Sequence, residues 1–443
     1  MSKTFRPWQI DDVQLLPPSV QDYVPKEHLS RLIVWLVREE LDLSAIEKEY
    51  RGALGQPPFA PRMMTALLLH AYASGVYSSR RIARGCVERT DLMLIVAGDP
   101  PDFRTISDFR KRHLKGLSGL FVQVLRLAEK AGLVKLGHVS LDGTKIKANA
   151  SKHKAMSFER MKKREAELKA EVDGWLAAAA AADDEEDRRY GDKRGEELPD
   201  WVADKQRRLE KIRQAKAALE AEAAAAAAED RRRQEAAEAR REAEGRKKNG
   251  RTPAPPKAEP EGKAQRNFTD PESRILKTKD GYIQGYNAQA AVDGTAQIIV
   301  AHGLTASMSD QNQLVPLLDG IENNVGRRPK EASADAGYCS EVNLKVLAER
   351  KIGAYLAVAR AKHPADTRRA ITGPLTKAMR EKLKRAGWRS RYRLRKQIVE
   401  PVFGQIKQAR GFRQFLLRGV EKVKAEWALI CTAHNLTKLH RPA

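Results

Sequence analysis

Tyr282-Ile-Gln-Gly-Tyr-Asn-Ala-Gln-Ala-Ala-Val292, the dipeptide Asp293-Gly294, and Thr295-Ala-Gln-Ile-Ile-Val-Ala-His-Gly-Leu304 form the stretch on which the fold turns. Both runs carry the β-branched residues of strands, and Asp-Gly between them is the strongest short-range hairpin signal. Upstream, Gly137 to Ala148 contains His-Val-Ser-Leu-Asp-Gly-Thr-Lys-Ile-Lys, another strand-like run. Downstream, Leu314, Leu317, Leu318 and Ile321 mark one stripe of a helix beginning near Asp310, and a short strand runs into Asp335. A helix from Glu341 to Lys351 then leads to Gly353-Ala-Tyr-Leu-Ala-Val358, which reads as a buried strand. Strands and helices in this order predict a mixed α/β sheet followed by C-terminal helices.

The hairpin and the strand before it are separated by about a hundred residues of a different character. From Ser157 to Lys248 the chain is mostly Ala, Glu, Lys and Arg, with Leu209, Ile212 and Leu219 on a heptad-type seam that Lys216 interrupts. This predicts a long helical hairpin turning between Asp183 and Pro199; disorder is the other reading, since poly-Ala and alternating charge bury little. Gly250 to Gly262, with four prolines, reads as an extended linker.

Residues 1 to about 135 read as helical. Leu29, Leu32, Ile33, Leu36 and Val37 recur at helical spacing, as do Met63, Met64, Leu67 and Leu68 after Pro61. Gly75 ends that second helix, and Ser78 or Ser79 caps a basic one with Arg80, Arg81, Arg84 and Arg89. This is either a helix-turn-helix or an ordinary helical hairpin with a solvated basic face. A further helix begins near Thr105 and runs through Phe109, Leu114, Leu117, Leu120 and Val124, with Arg110, Lys111, Arg112 and His113 as a candidate phosphate patch.

Lys and Arg number 82 against 58 Asp and Glu, a formal charge of +24 over 443 residues, which points to a polyanionic partner, nucleic acid first. No run of about 18 apolar residues exists to span a bilayer. The first ten residues lack an apolar signal core, so a cytosolic location is expected. Cys86, Cys339 and Cys431 have no paired spacing, which argues against a zinc cluster or disulfide framework. No phosphate-binding G-x-x-x-x-G-K-[ST] loop is present. His302 and His434 lack helical metal-ligand partners, Asp310 beside Ser309 reads as a helix cap, and Asp270 before Pro271 as a turn residue.

Three acids stand where the sheet could gather them: Asp142 on the first strand, Asp335 at the end of a later one, and Glu400 on a late helix. Singly, each has an ordinary role, as a turn residue, a helix cap and a solvated helix residue. Together they would need a compensating cation, and divalent magnesium suits oxygen ligands. Before Glu400, the segment from Arg360 to Gln397 carries fourteen Lys or Arg and two acids, with Trp388 and Tyr392 interleaved. Such a segment would bind phosphates in a salt-dependent way, and Trp388 either stacks on an exposed base or simply packs.

The local sequences resemble the DDE transposases of bacterial insertion sequences. Val139-Ser-Leu-Asp-Gly-Thr-Lys145 is similar to that family's first-aspartate strand, Ala334-Asp-Ala-Gly-Tyr338 to its D-x-G-Y segment, and Val399-Glu-Pro-Val-Phe-Gly-Gln-Ile-Lys407 to its glutamate helix. Thr269-Asp-Pro-Glu-Ser-Arg274 and Gly281-Tyr-Ile-Gln-Gly-Tyr-Asn-Ala-Gln289 stand in the same order. Related transposases often carry Tyr, two residues, Arg, three residues, Glu, six residues, Lys. Here Glu400 and Lys407 keep the last spacing, while Arg393 and Lys396 stand at the Tyr and Arg positions and Tyr392 and Arg395 are each displaced by one.

The resemblance implies a ribonuclease-H-like mixed-sheet core in residues 136–156 and 263–443, split by a helical hairpin and linker at 157–262, and preceded by an all-α DNA-binding region at 1–135. It implies Asp142, Asp335 and Glu400 as catalytic ligands of two Mg²⁺ ions, with Mn²⁺ as a substitute. DNA contacts would fall to Lys407, Trp388, Tyr392, Arg393, Arg395, Lys396, Arg80 and Arg81. Substrates would be double-stranded terminal inverted repeats and target DNA, cut and joined by a homodimer in a bacterial cytoplasm, at the nucleoid when on DNA. A nuclease of the same fold without strand transfer and an inactive DNA-binding protein are the alternatives.

Overall fold

The computed structural model describes residues 19–50, 57–190, 200–245, 255–278, 280–358 and 373–440. Its centre is a sheet of β1 (His138–Lys147), β4 (Arg274–Thr278), β5 (Gly281–Asp293), β6 (Ile299–Thr305), β7 (Glu331–Ala334) and β8 (Gly353–Leu356). Two short strands, β2 (Ala155–Ser157) and β3 (Gln265–Asn267), pair apart from it. Across the main sheet the order is β6-β5-β1-β7-β8, with β4 sharing the β6 edge of the long β5. β6, β5 and β1 are antiparallel, whereas β1, β7 and β8 are parallel. The predicted mixed sheet is therefore present.

The hairpin differs in its turn. Residues 294–298 form a loop, not a two-residue turn, because Asp293 has other work: its carboxylate accepts the N–H groups of Thr295 (2.8 Å) and Leu136 (2.7 Å). Gly294 allows a close approach there, since a Cβ would fall 2.9 Å from Ile398 and 3.1 Å from the His138 carbonyl oxygen.

Helices α1 (Leu29–Trp35), α2 (Ser44–Glu47), α3 (Pro61–Ala73), α4 (Ser79–Glu88), α5 (Thr90–Val96), α6 (Phe103–Arg112) and α7 (Leu114–Lys130) precede the sheet. The expected single helix through Phe109 and Val124 is broken at His113, whose buried ring is held by the Tyr50 hydroxyl (3.0 Å). The candidate phosphate patch there is largely structural. Arg110 is buried and donates to the Tyr72 hydroxyl and the Tyr77 carbonyl, and Arg112 pairs with Glu49.

The hairpin helices α8 (Phe158–Tyr190) and α9 (Asp200–Ala243) run antiparallel and spring from the β2–β3 clasp. Phe158, Met161 and Leu168 meet Leu209, Ile212 and Leu219 in a small core of their own. The seam's interruption is accounted for: Lys216 reaches across to Glu165 at 2.7 Å. The expected turn falls largely on 191–199 and part of the linker on 250–254, both outside the described residues.

After the sheet's crossovers α10 (Leu314–Val325) and α11 (Glu341–Glu349) come α12 (Pro374–Ala386), α13 (Arg395–Gly404) and α14 (Val420–His440). α14 packs against α3 and α7 on one side and β6 on the other, so it is buried nearly all round. Its Asn435 side chain exchanges two hydrogen bonds with Ile299 (2.9 Å each), satisfying backbone groups at the sheet edge. One apolar core thus runs unbroken from the N-terminal helices through the sheet.

Candidate active site

β1 and β7 are parallel, with Leu141 paired to Ala334, so Asp142 and Asp335 are the next residues on neighbouring strands. Helix α13 lies over β1 and brings Glu400 to the same end of the sheet. The link is Arg395: one guanidinium nitrogen donates to Asp142 Oδ2 at 2.6 Å and another lies 3.8 Å from Glu400 Oε1. Asp142 and Arg395 are 15% and 13% exposed, whereas Glu400 is 46% exposed. Burial pushes the Asp142 carboxyl up to about 6 against the pull of Arg395, with Asp335 adding to the rise. Burial also raises Asp335, which spends one oxygen capping the turn at Gly337 (2.9 Å). For Arg395, burial opposes the charge but Asp142 and Tyr392 outweigh it and keep the guanidinium protonated.

Pro401 lies inside α13 and cannot donate to the Gln397 carbonyl. Gln297, from the hairpin loop, supplies the missing donor at 2.8 Å. The backbone carbonyl of Gln297 also meets His434 Nε2 (2.9 Å), whose Nδ1 takes a bond from Arg410 (2.7 Å). His434 is therefore a buried connector between α14 and the glutamate helix, held neutral by burial, which lowers it to about 3.

The helix ends in a π-turn, Gln405–Ala409, where Lys407 donates to Thr144 Oγ1 (2.8 Å) and the Lys145 carbonyl (3.0 Å). Lys407 was expected to face a phosphate. Its ammonium instead ties the glutamate helix to β1 just beyond Asp142, half-buried and with its charge disfavoured by that burial.

A fourth carboxylate stands at the centre that the sequence reading assigned elsewhere. Asp310 makes no side-chain cap bond. Its Oδ1 accepts the amides of Asn287 and Gln289, both at 2.7 Å, and the Gln289 oxygen in turn accepts the Tyr338 hydroxyl. The Asn-Ala-Gln segment of β5 thereby braces the D-x-G-Y turn. Asp270 and Glu272 are also structural: Asp270 is fully buried, accepts the Tyr286 hydroxyl, and with Glu272 caps the start of α14 through Gly419 and Val420.

Of the basic candidates, Arg80 and Arg81 are exposed on α4, with Arg80 over the Phe103 ring at 5.1 Å. The turn before α4 is fixed to the glutamate segment, since the Tyr77 hydroxyl donates to the Arg410 carbonyl (3.0 Å) and Gly75 leaves room for that same oxygen. Trp388 is 73% exposed and lines an open cleft of about 450 Å³ with Arg389, Arg391, Arg393 and Lys396. Tyr392 is partly buried beside Arg395. The stretch 359–372 of the basic segment lies outside the described residues.

The donors suit a hard divalent cation: they are carboxylate oxygens, and a guanidinium already stands between two of them as a resident cation. Among the described residues, no three acid, His or Cys side chains are grouped closely enough to hold one ion together. No helix among them is long and apolar enough to cross a membrane.

Residues 257–436 match the family model described as Transposase DDE domain, and residues 18–112 match Transposase domain (DUF772). No curated protein and no solved structure matches the chain.

Proposed function

We propose that this chain, which belongs to the DDE transposases of insertion sequences, binds transposon terminal inverted repeats, cuts a strand at each end and joins the freed 3′-hydroxyls to target DNA. The observation that carries the reading is the meeting of Asp142 and Asp335 on adjacent parallel strands with Glu400 linked to Asp142 through Arg395. The strand order β6-β5-β1-β7-β8, antiparallel as far as the central β1 and parallel beyond it, fits a ribonuclease-H-like core.

Asp142, Asp335 and Glu400 would hold the divalent ions, Mg²⁺ by donor type and Mn²⁺ as a substitute. Bound there, the ions supply Lewis acidity to the attacking water or 3′-hydroxyl and to the leaving oxygen. The chain's own residues place the strand. Arg389, Arg393 and Lys396 line a cationic cleft together with Arg391, which is paired to Glu331, and phosphates would be drawn in there with release of counterions. Trp388 offers its open face to a base, and Arg80 and Arg81 on α4 extend the basic surface. Buried Ile398, Val399 and Val402 fix α13 against the core, so Glu400 is presented from a rigid element. Two ends must be held together for joining, which makes the working form a homodimer or larger.

Labelled terminal-repeat duplex incubated with the full chain, Mg²⁺ and target DNA tests this. Joined products are expected. Cleavage without joining would make the protein a nuclease, and binding without either would make it a non-catalytic DNA-binding protein.

A further inference from the structure

Arg395 is an unusual neighbour for a metal site. It lies in the first turn of α13, and its guanidinium is mostly buried between Asp142 and Glu400. A buried ionic group is tolerated when its donors are matched. Here two nitrogens face carboxylates while Nε is buried with no partner at all. The fit is one of charge more than of hydrogen-bond geometry. With Asp335 and Asp310 also nearby, one guanidinium serves an acidic centre of larger opposite charge.

We propose that Arg395 is the resident counterion of this centre: it holds Asp142 and Glu400 together in the DNA-free protein, and a divalent cation displaces it, freeing the guanidinium for a DNA phosphate. This rests on the reading that the three acids bind metal. The two cations compete because the arginine engages Asp142 Oδ2 and stands between that carboxylate and Glu400, in the space an ion bridging them would take. Displacement releases an unsatisfied donor, Nε, to a setting where it can be satisfied. A planar fork suits a phosphate as well as it suits a carboxylate, so the released side chain has a natural second partner in the DNA strand. Its position five residues before Glu400, on the same helix, keeps it beside the reacting strand.

The test is Mn²⁺ binding to the full chain without DNA, by titration calorimetry, for the wild type, Arg395→Gln, Arg395→Lys and Asp142→Asn. Asp142→Asn should abolish binding. Arg395→Gln should bind Mn²⁺ about tenfold more tightly than the wild type, equivalent to about 1.4 kcal/mol. It should also melt below the wild type in chelator and recover the deficit when Mn²⁺ is added, because the metal replaces the lost charge. Should Arg395→Gln fail to fold, Arg395→Lys, which keeps the charge but loses the fork, should still bind Mn²⁺ more tightly than the wild type. Asp142-dependent binding that is equal or weaker in the arginine variants would overturn the counterion role and leave the metal reading intact. An absence of Asp142-dependent binding in every variant would overturn both.

Discussion

Gly143→Ala is a small change with a large expected effect. In a strand, alanine ordinarily gains about 0.5–1 kcal/mol over glycine. At this position an added Cβ would overlap Gln289 Nε2 and fall 2.8 Å from both Asn287 Oδ1 and Asp310 Oδ1. Those atoms belong to one network, in which Asn287 and Gln289 donate to the Asp310 carboxylate. Making room means parting at least one amide from Asp310, worth about 1.5–3 kcal/mol for a bond to a charged acceptor, on top of overpacking of about 1–3 kcal/mol. Relaxation returns part of this, so a net loss of about 2–4 kcal/mol is expected. Urea unfolding of the full chain would read it. The cause is checked by a double-mutant cycle: Gln289→Ala removes the nearest obstacle, so the two substitutions together should cost at least about 1 kcal/mol less than their sum. Cleavage should fall as well, since the same network braces the turn carrying Asp335. An alanine variant as stable as the wild type, or costs that simply add, would refute the packing argument.

Three further outcomes follow from the same geometry. Glu426 is fully buried in α14, where burial lifts it to about 7 despite the N–H groups of Leu416 and Leu417. A carboxyl raised above its unfolded value gives stability that is present below about pH 4.5 and lost as pH rises through 7, up to about 3 kcal/mol. Glu426→Gln should flatten that slope in melting curves between pH 5 and 8 and be the more stable protein at pH 8. Lys407→Met keeps the aliphatic stem but loses the bonds to Thr144 and Lys145, so it should cost about 1–2 kcal/mol without DNA and leave the salt dependence of DNA binding unchanged. A smaller salt slope with unaltered stability would make it a phosphate contact instead. Trp388→Ala should leave the melting temperature nearly unchanged, because the ring is exposed, yet weaken terminal-repeat binding by about 1–3 kcal/mol in an anisotropy titration. Undiminished affinity would remove it from the interface.

How much of this was legible in the sequence depended on the range of the contact. The hairpin strands, the seam of Leu209, Ile212 and Leu219, and the three acidic segments are local patterns, and local patterns can be read from spacing. Arg395 was read as a DNA contact because its partner Asp142 lies 253 residues away and nothing in its own surroundings names that partner. Asp310 looked like a cap because it sits just before a helix, while its real partners are on β5. Pro401 left the glutamate helix in question, and only the fold could show that Gln297 supplies the bond that proline lacks. Helical periodicity carried through His113 because it registers apolar spacing, not a ring held by Tyr50 from the loop after α2. The N-terminal helices read as a separate unit because their stripes say that a face is buried, not what buries it; α14 does.

The central claim is that Asp142, Asp335 and Glu400 form one cation-binding centre. Loading the full chain with Fe²⁺ in place of Mg²⁺ and adding ascorbate and peroxide generates radicals at the bound ion, which cut the nearby backbone. Polypeptide breaks should cluster around residues 142, 335 and 400 together, be suppressed by excess Mg²⁺ and be absent in Asp142→Asn. Breaks at only one of these places, or cuts elsewhere that Asp142→Asn leaves unchanged, would contradict it.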